Sequence, residues 1–307
     1  MVYLVENDKI SSMELEEADI NERSRYWGLF SQEEADKAKS KFNIHAEVTQ
    51  KYTSKRATRF ESHDGFDYIC LNVLSYKNVS VPLCQASIYI RKNLVLFICD
   101  NTAFVKKIID DIIDDTTSRS VNFERLLYTF FDKITIGDAM FLEEIEQAII
   151  ELEDALITSK KNDCVKEIIN LRKKLMALKR NYEQFLAVLD AIQENENNII
   201  DNKSMRYFKI IEGRVDRSYH SVMNLRDYVT QVREAYQAQV DINLNSIMKL
   251  FTVVTSVFLP LTLLVGWYGM NIKMPEYGWN LGYPMVIALS IFIVIIEFIF
   301  FKKKKWF

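Results

Sequence analysis

Two long apolar runs near the C-terminal end constrain the fold of this chain more than any other feature. Leu250 to Tyr268 contains no charged side chain, and a helix of that length rises about 28 Å, close to the thickness of a bilayer's hydrocarbon core. Tyr283 to Phe301 is a second such run, with Glu297 as its one acid. Trp and Tyr residues gather where the two runs approach each other in the sequence, as they do at membrane interfaces. We therefore predict membrane-spanning helices over 250–271 and 283–301.

Basic residues predict the orientation of these spans. The linker 272–282 carries one lysine and one glutamate, Glu276, whereas Lys249 precedes the first span and the tail 302–307 holds Lys302, Lys303, Lys304 and Lys305. Because such residues stay on the cytoplasmic side, we expect a protein of the cell membrane with both termini inside and only the linker outside. Glu297 lies close to the lysine run and is interpreted as an acid that extends to the inner interface. The N-terminal segment has no basic stretch followed by an apolar run, so we expect no cleaved signal.

The first 120 residues mix short apolar runs with turn signals, which is typical of an α/β cytosolic domain. Ala86 to Asn101 predicts two strands around a turn near Lys92, and Phe66 to Leu74 predicts another. The four cysteines lie far apart and are expected to be reduced, buried thiols. The three histidines have no spacing that is typical of a zinc site.

Helical periodicity begins near Thr102 and continues to the first span. We predict cytosolic helices rich in acids and lysines over 121–203, one spanning roughly 122–158 and the next 163–196. A third helix begins near Ser204, forms a stalk over 204–249 and continues into the first span. Such a helix would be on the order of 100 Å long. One chain has little with which to cover it, so an oligomer bundled around a central axis is expected.

One face of the first span is small, polar or flexible. Steps of three and four residues connect Asn245, Met248, Thr252, Thr255, Leu259, Thr262, Gly266 and Gly269. We call this face the seam. Hydroxyl groups in a lipid-facing helix can bond back to their own backbone or join neighbouring helices, but a narrow water-filled path explains a whole row of them better. Met248 and Leu259 would then form apolar constrictions that gate the path by dewetting.

The segment around the outer end of the first span resembles the CorA family of magnesium transport proteins. The resemblance rests on "YGMN" (Tyr268–Asn271), "PLTL" before it, "MPE" (Met274–Glu276) after it, a second span and the ending "KKKKWF". It implies a funnel-shaped homopentamer with a pore lined by the first span. By the same motif Gly269, Met270 and Asn271 form the external mouth. Asn245, Met248 and Thr262 fall on pore positions, and the basic collar comprises Lys249, Lys302, Lys303, Lys304 and Lys305.

The chemistry of Mg2+ suits such a path. The ion holds its waters tightly and prefers octahedral oxygen ligands, so neutral oxygens can bind the hydrated ion weakly enough to release it. Five copies of Asn271 above the Gly269 carbonyls would provide such a ring. The sequence carries no ATP-binding motif, and the membrane potential would supply roughly 4.6 kcal/mol per 100 mV to a divalent ion.

A passive channel needs a means of closing when the cell is replete. Four carboxylates stand within six residues, and another lies on the stalk. We expect that cytosolic Mg2+ binds between subunits and closes the pore, and the leading candidate ligands are Asp110, Asp111, Asp114, Asp115 and Asp216.

Other function classes are disfavoured. No nucleophile–His–Asp arrangement or organic-cofactor motif is present, so we expect neither an enzyme nor a cofactor other than Mg2+. The net charge of −3 does not indicate nucleic-acid binding. Two alternatives remain open: a channel for Co2+, Ni2+ or Zn2+, and a coiled-coil scaffold that its two spans merely anchor to the membrane.

Overall fold

A mixed β-sheet occupies the N-terminal part of the chain. The computed structural model describes residues 1–6, 9–18, 24–44, 58–79, 81–115, 123–157, 164–271, 278–304 and 306. Among these residues seven strands form one sheet in the order β2-β1-β3-β7-β6-β5-β4. They are β1 (Val2–Glu6), β2 (Lys9–Met13), β3 (Arg25–Ser31), β4 (Arg59–His63), β5 (Phe66–Val73), β6 (Cys84–Arg91) and β7 (Leu94–Cys99). The strands predicted over 66–74 and 86–101, including the turn near Lys92, are confirmed.

Both faces of this sheet are covered, which explains why its central strands read as continuous apolar runs. On one face Phe42 of helix α1 (Ala35–Phe42) joins Tyr68 and Leu96 in a small core. On the other face Ile88 and Phe97 join a larger core with helix α2 (Thr102–Asp115) and the helices that follow it. All four cysteines are buried free thiols, as predicted.

The helix predicted over 122–158 is wrong in one respect, because the structure divides it in two. Helix α3 spans Phe123–Thr135 and helix α4 spans Asp138–Ile157. The chain breaks at Gly137, where a Cβ would stand 2.9 Å from Cε2 of Tyr76, so the aromatic ring occupies the space that another residue's side chain would need. Glycine also weakens a helix by roughly 1 kcal/mol relative to alanine. The next predicted helix is confirmed as α5 (Cys164–Glu194).

The third predicted helix is confirmed as a continuous element that includes the first span. Helix α6, Asn202–Tyr268, is 67 residues long. The chain divides into two compact units, Met1–Val232 and Arg233–Phe307, and α6 contributes to both. In the first unit, Phe208, Ile211, Val215, Val222 and Val229 form the buried stripe of α6.

The second unit also contains helix α7, Gly282–Lys303. Within the described part of the chain, α6 and α7 are the two helices long and apolar enough to cross a membrane. Of the apolar side chains described in this unit, Val253 and Phe301 are the ones buried by the chain itself. Most of the other apolar side chains of this unit are exposed in the single chain, as expected of segments that lie in lipid.

Candidate functional site

The seam lies on an uncovered face of the first span. The structure brings its predicted helical residues onto one side of α6, and Gly269 follows directly after the helix. All of them are exposed in the single chain: Asn245, Met248, Thr252, Thr255, Leu259, Thr262, Gly266 and Gly269. A concave surface runs along the C-terminal half of this face and is lined by Thr255, Leu259, Thr262 and Met270, among others.

The opposite face of the first span is the covered one. From Lys249 onward, the less exposed positions of α6 are Lys249, Val253, Ser256, Val257, Pro260, Leu261, Leu264 and Tyr268. At 3.6 residues per turn these positions lie opposite the seam. Helix α7 has a matching stripe of reduced exposure at Gly282, Val286, Ser290, Ile293, Glu297 and Phe301. The two stripes indicate that α7 packs against the face of α6 opposite the seam and that the chain itself leaves the seam uncovered.

The threonine hydroxyls of the seam are already oriented by their own helix. Oγ1 of Thr252 donates to the carbonyl of Met248 at 2.8 Å, and Oγ1 of Thr255 donates to Phe251 at 2.8 Å. Thr262 donates to Phe258 in the same way at 2.7 Å. A hydroxyl has one proton and two lone pairs, so these side chains keep only acceptor capacity for the seam. Such a surface suits the outward-pointing protons of waters around a cation.

The mouth of the seam is built by a helix end that requires glycine. The Gly269 N–H donates to the carbonyl of Val265 at 2.8 Å, and a Cβ at Gly269 would stand 2.8 Å from the same oxygen. A side chain therefore cannot be added without shifting the backbone. Met270 and Asn271 follow in exposed positions. Glu276 of the external loop lies outside the described residues.

A profile of the CorA-like Mg2+ transporter protein family matches residues 26–303. The chain belongs to this family. The cobalt/magnesium transport protein CorA of Thermotoga maritima is 28% identical over 279 residues, which cover 86% of this chain and 77% of the relative. The protein of the same name from Methanocaldococcus jannaschii is 26% identical over 260 residues, covering 81% of this chain and 79% of that one. These relatives are named as transport proteins, which is consistent with the expectation that the chain is not an enzyme.

A comparison of structures supports the fold independently. The complete structure of the CorA magnesium transporter from Methanocaldococcus jannaschii superposes with a TM-score of 0.83. The match covers 100% of this chain and 99% of that chain at 21% identity. At this identity the likeness shows the fold: an α/β domain, long helices and two C-terminal spans.

Basic residues of this CorA-like chain lie at the span ends that are predicted to face the cytoplasm. Lys302, Lys303 and Lys304 are exposed, and Nζ of Lys304 lies 4.9 Å from the ring centroid of Phe300 and 5.9 Å from that of Trp306. Lys249 is partly covered and shares the face that packs behind the seam. Lys305 lies outside the described residues.

Glu297 differs from the sequence-based interpretation. The structure buries its Oε2 atom, and none of the described residues offers that atom a hydrogen bond. Glu297 also belongs to the covered stripe of α7. Its side chain therefore turns toward the helix pair instead of extending to the interface.

The acids that were predicted to bind regulatory Mg2+ do not form a site within one chain. Asp110 is exposed on α2, and Oδ2 of Asp111 pairs with Nζ of Lys133 at 3.3 Å. Oδ1 of Asp216 on α6 lies 3.6 Å from Nε2 of His220. Asp114 is exposed on α2, and the side chain of Asp115 lies outside the described residues. In the described part of the chain, no group of three or more His, Cys, Asp or Glu residues could hold a metal ion.

Proposed function

We propose that this CorA-like chain forms a membrane channel for Mg2+ influx. The observation that supports the proposal most strongly is the uncovered seam, which lies opposite the face packed behind it and ends at Gly269, Met270 and Asn271. A helix that served only as an anchor would need no such row of oriented acceptors. The family's name and those of the relatives point to the same ion.

Hydrated Mg2+ is the ion that fits this surface. Mg2+ loses its waters reluctantly, so a path for it must offer acceptors to those waters. The back-bonded hydroxyls of Thr252, Thr255 and Thr262 do this along the seam, and the amide of Asn271 does so at the mouth. In the assembly, the five copies of Met248 and the five copies of Leu259 form apolar rings between these acceptors. Such rings can exclude water when the path narrows.

The proposed assembly is a funnel-shaped homopentamer in which the five seams face a central axis. In this arrangement 204–249 forms the stalk and the regions 1–120 and 121–203 form the cytosolic part. The external loop 272–282 carries Glu276, and the tail 302–307 joins Lys249 in an inner basic collar. The mass of the protein in detergent should be five times 36.0 kDa. A monomer or dimer that retains transport would contradict this proposal.

The driving force in this proposal is the membrane potential, with both termini inside. Each Mg2+ ion that enters gains roughly 4.6 kcal/mol per 100 mV. Neither ATP nor another cofactor is needed. Control comes from cytosolic Mg2+ that bridges acids of neighbouring subunits, and we keep Asp110, Asp111, Asp114, Asp115 and Asp216 as its candidate ligands.

Flux measurements in liposomes test the transport proposal. Wild type should pass Mg2+ down a potential that is negative inside, and Asn271→Ala should reduce the flux at least about tenfold because the mouth loses its ring of amides. Asn280→Ala is the matched control, since Asn280 is an exposed asparagine beyond the mouth. Near-normal flux in Asn271→Ala would refute the role of the mouth, and no flux in wild type would favour the scaffold. The name of the Thermotoga maritima relative adds Co2+ as a second ion to assay.

Protease protection tests the regulatory proposal. Millimolar Mg2+ should protect wild type. The variant in which Asp110, Asp111, Asp114 and Asp115 are all replaced by Asn should lose this protection and conduct at high Mg2+. If the variant keeps both protection and inhibition, the cluster is an ordinary solvated face.

A further inference from the structure

A small cavity lies within the first unit at the break between α3 and α4. Its volume is about 20 Å³, and its walls include Val73 of β5, Thr135, Asp138 and Tyr182. A cavity of this size holds about one water-sized occupant. In the sequence, the one local signal of this place is the Gly137–Asp138 pair inside a helical pattern.

Asp138 is the acid of this cavity, and it is almost completely buried. Its side chain is 2% exposed. The hydroxyl of Tyr76, from the connection between β5 and β6, donates to Oδ1 of Asp138 at 2.9 Å. The close approach of Tyr76 depends on Gly137, since a larger residue would collide with the ring. The hydrogen bond between Tyr76 and Asp138 thus depends on the helix break at Gly137.

Tyr182 of α5 adds a second buried polar group to the cavity wall. It is 1% exposed, and its hydroxyl faces the carboxyl of Asp138, whose pKa it lowers, but it makes no well-formed hydrogen bond with any residue that the structure describes. Burial raises the pKa of both Tyr76 and Tyr182, so both phenols stay neutral.

Two polar groups near Asp138, the side chains of Arg214 and Thr135, bind other residues. Arg214 of α6 pairs with Asp132 of α3 at 2.8 Å and donates to Oγ1 of Thr135 at 3.3 Å. The hydroxyl of Thr135 donates to the carbonyl of Phe131 at 3.0 Å. Arg214 therefore acts on Asp138 only at a distance, and burial dominates. It raises the pKa of Asp138 to about 6.

We infer that this cavity is a proton-binding site, and that protonation of Asp138 tightens the joint between α3 and α4 against β5 and α5. The neutral carboxyl removes a buried charge that forms no ion pair with the residues that the structure describes, and it supplies an O–H donor for the hydroxyl of Tyr182. A metal ion fits the site less well, because Mg2+ keeps several of its waters and a cavity of about 20 Å³ has no room for them.

The direction of the pH dependence follows from the raised pKa. Between an ordinary value of 3.8 and about 6, the folded protein holds the proton and the unfolded chain does not. The contribution of Asp138 to stability is therefore complete below about pH 4 and is lost as the pH rises through about 6. Across that interval the folding equilibrium constant should fall by up to about a hundredfold relative to a variant with a neutral side chain.

Thermal unfolding of the full-length protein in detergent, from pH 4 to pH 7.5, tests this inference. Wild type should lose stability relative to D138N as the pH rises, and the difference should level off above about pH 6. E144Q is the matched control, because Glu144 is an exposed acid on the same helix, and it should follow wild type. Parallel curves for wild type and D138N would overturn the proposal.

A second variant keeps the test decisive if D138N fails to fold. The hydrogen bond from Tyr76 lowers the pKa of Asp138, so Y76F should move the midpoint of the pH dependence to higher pH. An unchanged midpoint would count against the site. Melting of wild type at pH 7 with and without Na+ or Mg2+ completes the test, since a cation-dependent gain that D138N lacks would identify a metal site and overturn the inference.

Discussion

The two units of this chain differ in how far their apolar side chains are buried. In Met1–Val232 the apolar faces of the sheet and helices meet one another and form two closed cores. In Arg233–Phe307 most apolar side chains are exposed, although they are as hydrophobic as those of the first unit. Helix α6 belongs to both units: Val229 and Val232 are buried, whereas Phe258 and Leu259 are exposed. The comparison shows that apolar character alone does not define a core, because lipid or another copy of the chain covers an apolar face equally well.

The Asn197 side chain of the first unit and the Glu297 carboxyl of the second unit differ in whether their polar atoms have hydrogen-bond partners. In the first unit the side chain of Asn197 joins the α5–α6 connection to the β4–β5 turn. Its Nδ2 donates to Oδ1 of Asp67 at 2.7 Å and to the carbonyl of His63 at 2.8 Å, and its Oδ1 accepts from the N–H of Gly65 at 3.2 Å. In the second unit Glu297 has a buried oxygen with no partner among the described residues. The Asn197 network is thus satisfied within the first unit, although the hydroxyl of Tyr182 there lacks a well-formed hydrogen bond, and Oε2 of Glu297 has no partner among the described residues of the second unit.

The largest difference in stability is expected between two variants that each remove one aromatic ring, one from each unit. Phe131 is 0% exposed and packs against Phe185 at 5.5 Å between ring centroids, so Phe131→Ala should cost about 3–5 kcal/mol of stability. Phe258 is 62% exposed, and Phe258→Ala should cost less than about 1 kcal/mol in detergent. Thermal unfolding measures both. An equally large loss for Phe258→Ala would show that this ring packs against protein in the assembly.

A medium effect is expected from the network in the first unit. Asn197→Ala should cost about 2 kcal/mol, because the buried carboxylate of Asp67 loses one hydrogen bond and keeps that of Ser62, and the carbonyl of His63 loses a donor. It should also raise the pKa of Asp67 further, since the hydrogen bond from Asn197 now lowers it while burial raises it. Asn202→Ala, at an exposed asparagine nearby, is the control and should change little. Chemical denaturation of the purified protein measures the loss, and equal curves for both variants would refute the importance of the network.

The smallest effect is expected from the unpartnered group in the second unit. Glu297→Gln keeps the shape of the side chain and removes its charge, so it should stabilise the pair of spans by about 1 kcal/mol or less. The melting temperature in lipid nanodiscs measures this gain, and Glu151→Gln at an exposed acid of α4 is the control. A loss of stability would mean that the carboxylate receives a partner from a neighbouring copy in the assembled protein.

Local pattern was enough to predict several features of this molecule. The long apolar runs predicted both spans, and steps of three and four placed Thr252, Thr255 and Thr262 on one face. The apolar runs around Lys92 predicted strands β6 and β7. These predictions succeed because helical and strand periodicity depend on neighbouring residues alone. Gly269 also follows from local geometry, since its close contact is with a carbonyl of its own helix turn.

Other features were decided by residues far apart in the sequence. The break at Gly137 depends on the ring of Tyr76, and the burial of Asp138 depends on α5 and on the connection that carries Tyr76. Whether Glu297 turns outward or toward the helix pair depends on how α7 packs, which the apolar sequence of α7 leaves open. Sequence periodicity says which residues share a face, whereas only tertiary packing decides what that face meets, because burial, charge and hydrogen bonding all depend on the groups that arrive from elsewhere in the chain.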